Sequence, residues 1–184
     1  MRKLLKLHPD SRCAAVTHIE AELARRGANN LVVSYFVTGR IGDVCLPPVA
    51  TVTRKDELWR HTCFEAFVRA APEAEYYEFN FAPSKNWAAY RYSSYRSGMC
   101  VASEIRARQI DVQAGPGSYT LQATLELDDV PRLPDTASWH VGLSALIEDM
   151  SGGKSYWALA HPAGKPDFHH AEAFAHVFSP AVAS

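Results

Sequence analysis

The sequence has no apolar run long enough to span a membrane, no CxxC pair, no block of like charge and no internal repeat. Each absence excludes a class of function. A spanning helix needs about 20 consecutive, mainly apolar residues, so none is expected, and no membrane partner with it. Lys plus Arg, 19 in all, nearly balance 20 Asp plus Glu, leaving a formal charge of −1. A chain so balanced lacks the basic patch or stripe that draws a protein to nucleic acid or to an anionic membrane surface. Cys13, Cys45, Cys63 and Cys100 are irregularly spaced, which argues against a disulfide framework. The opening "MRKLLKLHPDSRC" has the basic residues of a signal peptide, but Lys6 and His8-Pro9 break its apolar run. The expectation is a cytoplasmic protein with reduced thiols.

What the chain does have is apolar content and alternation. At 184 residues and 47% hydrophobic it suits one ordinary core, read as a single domain over 1–184. "SYTLQATLEL" sets Tyr119, Leu121, Ala123, Leu125 and Leu127 against polar neighbours, and "SWHVGLSALI" does the same with Trp139, Val141, Leu143, Ala145 and Ile147. Period two means half-buried strands. "NLVVSYFV" is a continuous β-branched and aromatic run. "AAVTHIEAELARRGANN" reads two ways: its composition suits a helix ending at Gly27, and its alternation suits a strand that turns at Gly27 to Asn30. The strand is preferred. Gly- and Pro-rich turns separate these segments, and no long helix intervenes. The pattern predicts an all-β fold, an antiparallel β-sandwich of immunoglobulin-like or jelly-roll type.

The segment "DELWRHTCFEAFV" sets Glu65 between two phenylalanines. If the chain is extended from Trp59 onward, Trp59, His61, Cys63, Glu65 and Phe67 share one face, and Phe64, Ala66 and Val68 the other. In "EYYEFNFAPSKNW", Tyr77, Phe79 and Phe81 are on the apolar side, and Tyr76, Glu78 and Asn80 face away. If the two strands pair, Glu65, Glu78 and Asn80 stand together beside Trp59. An ordinary solvated sheet face would account for such a set. Carboxylates and an amide beside a flat aromatic are also the chemistry of sugar recognition, with acceptors for hydroxyls and a ring for the pyranose C–H face.

On "WRHTCFEAFV", "YYEFNFAPSKNWAAYRYSSYRSGM" and "WALAHPAGKPDFHHAEAF" the chain resembles the bacterial DOMON-like proteins, and through them the family 9 carbohydrate-binding modules. That resemblance implies a β-sandwich that binds sugar or haem. It makes Trp59 one wall of an aromatic sandwich, Glu65 and Asn80 its hydrogen-bonding groups, and Phe168 the second wall where the sugar-binding modules have tryptophan. Glu78 stands where those modules carry an arginine. The exchange of donor for acceptor implies a different sugar, for instance an amino or otherwise cationic one.

Other groupings carry less. His161, Asp167, His169 and His170 have the residue types of a zinc site, but adjacent histidines on a strand point to opposite sides, and a polar loop is the simpler reading. Cys63 with His61 lacks a defined oxyanion site, so a buried thiol is expected. Glu65 and Glu78 also have the composition of a glycosidase pair. Haem would require an axial ligand such as Met99 or Met150. "SGGKS" lacks the upstream glycine of a phosphate loop and reads as a hairpin turn. In "WAAYRYSSYR", Arg91 and Arg96 are placed to stack on or pair with neighbouring aromatics at a packed sheet edge, and the segment is also a candidate lining for a ligand groove. The expected function is a non-catalytic module for a small, sugar-like ligand. The alternatives are a haem-binding domain, a glycan-acting enzyme using Glu65 and Glu78, or a protein-interaction module.

Overall fold

Alternation along the chain becomes two stacked sheets. The computed structural model describes residues 1–26, 30–127, 130, 132–134 and 136–179. Along these the strands are β1 (Lys3–Leu4), β2 (Lys6–Leu7), β3 (Val16–Arg26), β4 (Asn30–Gly39), β5 (Thr53–Arg54), β6 (Cys63–Ala70), β7 (Tyr76–Phe81), β8 (Asn86–Tyr92), β9 (Cys100–Val101), β10 (Arg106–Ala114), β11 (Ser118–Glu126), β12 (Trp139–Glu148), β13 (Lys154–Ala158) and β14 (His176–Phe178). Single 3-10 turns occupy Ile41–Asp43, Leu58–Arg60 and Ala171–Ala173. The smaller sheet runs β1-β3-β4-β11-β10, and the larger runs β2-β13-β12-β6-β7-β8-β5, with β14 on β12 and β9 on β8. All these pairs are antiparallel except β5 with β8. The predicted antiparallel β-sandwich is the observed fold.

The ambiguous segment is strand β3, paired along its length with β4. Its alternation is interrupted by a bulge between Val16 and His18. The extra residue resets the parity, so Val16 and Ile19 are both buried and Thr17 is exposed. The turn expected at Gly27 to Asn30, apart from Asn30 itself, and part of that at Pro131 to Pro134 lie outside the described residues. "SGGKS" is the β12–β13 hairpin, where Asp149 Oδ1 accepts from the Ser151 and Gly153 N–H groups at 2.8 and 2.9 Å.

The core lies between the sheets. Leu121, Ala123 and Leu125 of β11 meet Phe64, Ala66 and Val68 of β6, Phe79 and Phe81 of β7, and Val141, Leu143 and Ala145 of β12. A second apolar layer sits on the outer face of the larger sheet: Cys63, Phe67, Tyr76, Tyr90, Tyr92, Phe168 and Phe174. The middle of that sheet is therefore buried on both faces, and every residue of β7 is buried. The solvated face that would explain Glu65, Glu78 and Asn80 is absent: they are 4%, 3% and 0% exposed.

The cover is the C-terminal segment that contains the turn Ala171–Ala173. It lies close because β12 offers a glycine at the contact. A Cβ on Gly142 would come within 3.1 Å of the Ala173 carbonyl oxygen and 3.5 Å of Phe67 Cβ. The sandwich core thus fixes β6 and β7, and the C-terminal segment roofs their outer face.

Candidate functional site

Strand pairing brings the polar residues together. In the β6–β7 register Glu65 is opposite Asn80, and Phe67 is opposite Glu78. Glu65 and Glu78 are thus diagonal neighbours on one face, a relation that typically separates Cα atoms by about 7–8 Å. Their parity is the one read from the sequence, with Phe64, Ala66, Val68, Tyr77, Phe79 and Phe81 turned to the inter-sheet core.

Trp59 arrives differently. The chain is not extended there: Leu58–Arg60 form a 3-10 turn, entered through Glu57 in the left-handed region at φ 61°. The turn places the indole edge-on to Tyr90, with ring centroids 5.8 Å apart. Tyr90 is held in turn by donating to Asp56 Oδ1 at 2.7 Å. His61 leaves the supposed shared face, its Nδ1 meeting Glu148 Oε2 at 2.7 Å, while the buried Cys63 thiol points to Asn80 Oδ1 at 3.8 Å.

A cavity of about 340 Å³ opens over this face, lined by Trp59, Glu65, Glu78, Tyr92, Arg96, Leu146, Tyr156, Pro166, Phe168 and His169. Four of the five residues expected from the sequence line it. Phe168 does so while only 9% exposed, packed against Tyr156 with centroids 6.1 Å apart. Trp59 and Tyr156 are half-buried and present more ring. Asn80, the fifth, stands behind the cavity wall. Its amide nitrogen donates to Glu78 Oε1 at 2.7 Å and its amide oxygen faces the Cys63 thiol. It orients Glu78.

The roof is tied down by one carboxylate. Asp167 accepts from Tyr95 Oη and, at 2.8 Å, from Arg96, and takes the backbone N–H of His169 at 3.0 Å. Burial opposes its charge, but these donors and the Arg96 cation hold its carboxyl below the ordinary range. Arg96 is itself in the left-handed region, φ 51°, and its N–H donates to Tyr76 Oη at 3.2 Å. A non-glycine residue there costs roughly 1–3 kcal/mol, which the tether to Asp167 and Tyr76 helps to offset.

His169 sits in an aromatic box. Its ring lies 5.1 Å from those of Phe67 and Tyr92 and 5.9 Å from that of Tyr76, all edge-on. Burial, with Arg96 nearby, lowers its pKa to about 4, so the imidazole is neutral near pH 7. Among the described residues His169 Nδ1 is the acceptor within reach of the Tyr76 hydroxyl proton, the Arg96 N–H being a donor, so Tyr76 Oη donates to it at 2.8 Å. That leaves the proton on Nε2, which stands 3.8 Å from Glu78 Oε2. The separation is too long for a hydrogen bond.

The carboxyls are unequal. Burial, then the Glu78 charge, push Glu65 well up, with Arg96 pulling it back. Burial also raises Glu78, but the Asn80 amide, the Tyr92 hydroxyl and Arg96 favour its ionised form. Glu78 therefore ionises first and Glu65 holds its proton longer. Glu78 Oε2 is buried without a hydrogen-bond partner, since the nearby Tyr92 hydroxyl does not meet hydrogen-bond geometry at this oxygen.

The remaining candidates are each accounted for. His161 Nε2 bonds to the Lys6 carbonyl at 2.8 Å, His170 Nδ1 accepts from the Glu172 N–H, and Arg91 pairs with Glu104. Among the described residues no group of three or more His, Cys, Asp or Glu is placed to hold a metal. Met99 and Met150, the thioethers considered for haem, are 48% and 69% exposed, and neither lines the cavity. Two other hollows are less equipped. One of about 240 Å³ shares His169 with the first. The other, about 460 Å³ beside Pro47, Pro48 and Leu58, has its charged residues Lys55, Asp56 and Glu57 exposed. The sequence offered the segment holding Tyr92 and Arg96 as a groove lining without naming either as a site residue, and it did not assign Tyr156 or Leu146. Their outward parity was readable, but not that a roof would cover them.

No family model matches the sequence, and no curated protein does. Solved structures do. A Bacteroides uniformis protein proposed to bind carbohydrate superposes with a TM-score of 0.62 at 13% identity, over 94% of this chain and 83% of that one. A family 9 carbohydrate-binding module from Caldicellulosiruptor kristjanssonii, solved with cellotriose, gives a TM-score of 0.50 at 11% identity, over 89% and 74%. At such identities the likeness is one of architecture: the chain has the antiparallel β-sandwich fold that these two proteins share.

Proposed function

We propose that the protein is a non-catalytic binding module for a carbohydrate or sugar derivative, held in the cavity between Trp59, Tyr156 and Phe168 and anchored on Glu65 and Glu78. One observation carries this reading: a buried acceptor, Glu78 Oε2, has no partner and lies beside a neutral His169 Nε2–H donor. A hydroxyl both donates and accepts, so one sugar hydroxyl satisfies both groups. The adjoining aromatic rings suit the apolar C–H face of a pyranose. Asn80 contributes by orienting Glu78, and the volume falls at the lower end of the range of about 300–1,000 Å³ common for small-molecule sites. The two structural neighbours described as carbohydrate binders support the same reading. The motif resemblance to DOMON-like proteins and the expected cytoplasmic location belong to this proposal as well.

The test is isothermal titration against neutral, amino and cell-wall sugars, with Trp59→Ala in parallel. Saturable heat that the variant loses supports the site; heat that the variant retains moves it elsewhere; no heat with any sugar sinks the carbohydrate reading. A second reading has a specific observation behind it. Glu65 and Glu78 are diagonal neighbours in unlike settings, Glu78 bonded to the Asn80 amide and Glu65 not, as suits an acid and a base acting on a glycosidic bond. Turnover of a bound glycan that disappears in Glu65→Gln would favour that enzyme over the module.

A further inference from the structure

Two carboxyl groups floor this cavity, and among the described residues no Lys or Arg is paired with either, Arg96 acting on both from a distance. Arg96 is the positive residue in its lining, and its guanidinium is paired with Asp167. His169 is neutral because it is buried among three aromatic rings with the Arg96 cation nearby, and Tyr76 Oη is bonded to its Nδ1. The other ionisable neighbours, Cys63, Tyr92 and Tyr156, are acids. The hydrogen bonds at Glu65 run to its backbone carbonyl, from Tyr35 and Ser144, and leave the carboxyl to the cavity. Glu78 uses one oxygen on Asn80 and leaves the other, buried, with no partner.

Carboxyls buried side by side ionise at a cost, and a neutral ligand dehydrates them further while offering hydrogen bonds but no opposite charge. A ligand that brings a positive charge relieves both groups. A divalent ion is poorly served by two carboxyls, since calcium takes six to eight oxygens and magnesium six. An alkylammonium needs few acceptors and also favours the rings that stand beside it.

We infer that the ligand is a cationic amino sugar, whose ammonium group seats against Glu65 and Glu78 while Trp59 covers the ring. This rests on the carbohydrate reading above and narrows it. The sugar hydroxyls still use the His169 donor, and the amine uses the orphaned carboxylate oxygen.

The probes are glucosamine and its trimer, glucose and cellotriose, and N-acetylglucosamine, which keeps the ring but loses the charge. Each is titrated calorimetrically at pH 7 into the parent, Glu65→Gln and Glu78→Gln. Both substitutions are isosteric, and thermal unfolding checks that each variant is folded. The amine is expected to bind at least about tenfold tighter than its neutral counterparts, the scale of a charge-assisted hydrogen bond. In both variants that ratio should fall toward one. Equal binding of glucose and glucosamine overturns the amine assignment and leaves the carbohydrate site standing. A preference for the amine that survives in both variants also overturns it, since the charge is then read elsewhere. No heat with any of the sugars removes the carbohydrate reading and this inference together.

Discussion

Tyr35, from the smaller sheet, reaches through the core and donates its hydroxyl to the backbone carbonyl of Glu65 at 2.6 Å. Both residues are buried, and the bond ties the wall of the cavity to the opposite layer of the sandwich. The Tyr35→Phe substitution removes the donor without changing the ring. It should cost about 1 kcal/mol, the usual net value of such a bond, since the carbonyl keeps its place in the sheet. Urea unfolding measures the loss. An unchanged midpoint and slope would mean that the bond contributes nothing.

Asp167 tests the roof. Changing it to alanine releases Tyr95, Arg96 and the His169 N–H together. Arg96 is half-exposed, so the ion pair itself is worth little in water. The larger effect should be local: faster amide exchange in the segment around Pro166 to Phe174, with the sandwich strands unaffected. A freed Arg96 can also turn to Glu65 and Glu78 as an internal counter-ion, which should weaken a cationic ligand more than a neutral one. Exchange that quickens uniformly would instead mean global destabilisation.

The pH dependence of stability has two opposing parts. His169 has a folded pKa lowered from 6.5 to about 4, so its contribution is present above pH 6.5 and is lost as pH falls through 4. Glu65 has a folded pKa raised above 4.5, so its contribution is present below pH 4.5 and is lost as pH rises through the folded value. Asp167 faces these groups from the roof, Arg96 from the loop after β8, and Tyr76, Tyr92, Glu78 and Cys63 from the sheet, so single variants must separate the two. Glu65→Gln should be more stable than the parent at neutral pH and should lose stability more steeply between pH 6.5 and 4. His169→Phe should flatten that acid limb. Parallel pH profiles in all three proteins would refute the assignment.

Much of this was legible beforehand because a strand's parity is a local property. The faces of β6, β7, β11 and β12 followed from alternation alone, and the grouping of Glu65, Glu78 and Asn80 from alternation with the pairing expected of sequential strands. The bulge near Thr17 and the 3-10 turn at Trp59 were not legible, since both are backbone departures that a period-two pattern passes over. The burial of Glu65 and Glu78 was hidden for another reason. It depends on a segment some ninety residues away, fitted over Gly142 and fastened by Asp167, and no local pattern in β6 or β7 encodes that contact. Phe168 could be placed at the cavity by resemblance, but its packing against Tyr156 belongs to the same long-range closure.

Asn80 and Glu78 give a test of orientation against bulk stability. Asn80 is fully buried, and its amide satisfies one Glu78 oxygen at 2.7 Å. Asn80→Leu leaves that oxygen buried without its donor, at a cost of about 1–3 kcal/mol, and lets the carboxyl rotate. Affinity should fall although Asn80 does not line the cavity. Glu78→Leu removes the acceptor and strands the amide instead. The double variant strands neither, because replacing both partners by apolar groups leaves no unmet polar atom between them. Its loss of stability should therefore be clearly smaller than the sum of the two single losses, a coupling of about 0.5–3 kcal/mol. Ligand binding should not recover with it, because the anchoring carboxylate is gone. Additive stabilities would show that the two side chains do not act as a pair. Binding restored in the double variant would show that Glu78 is not the anchor.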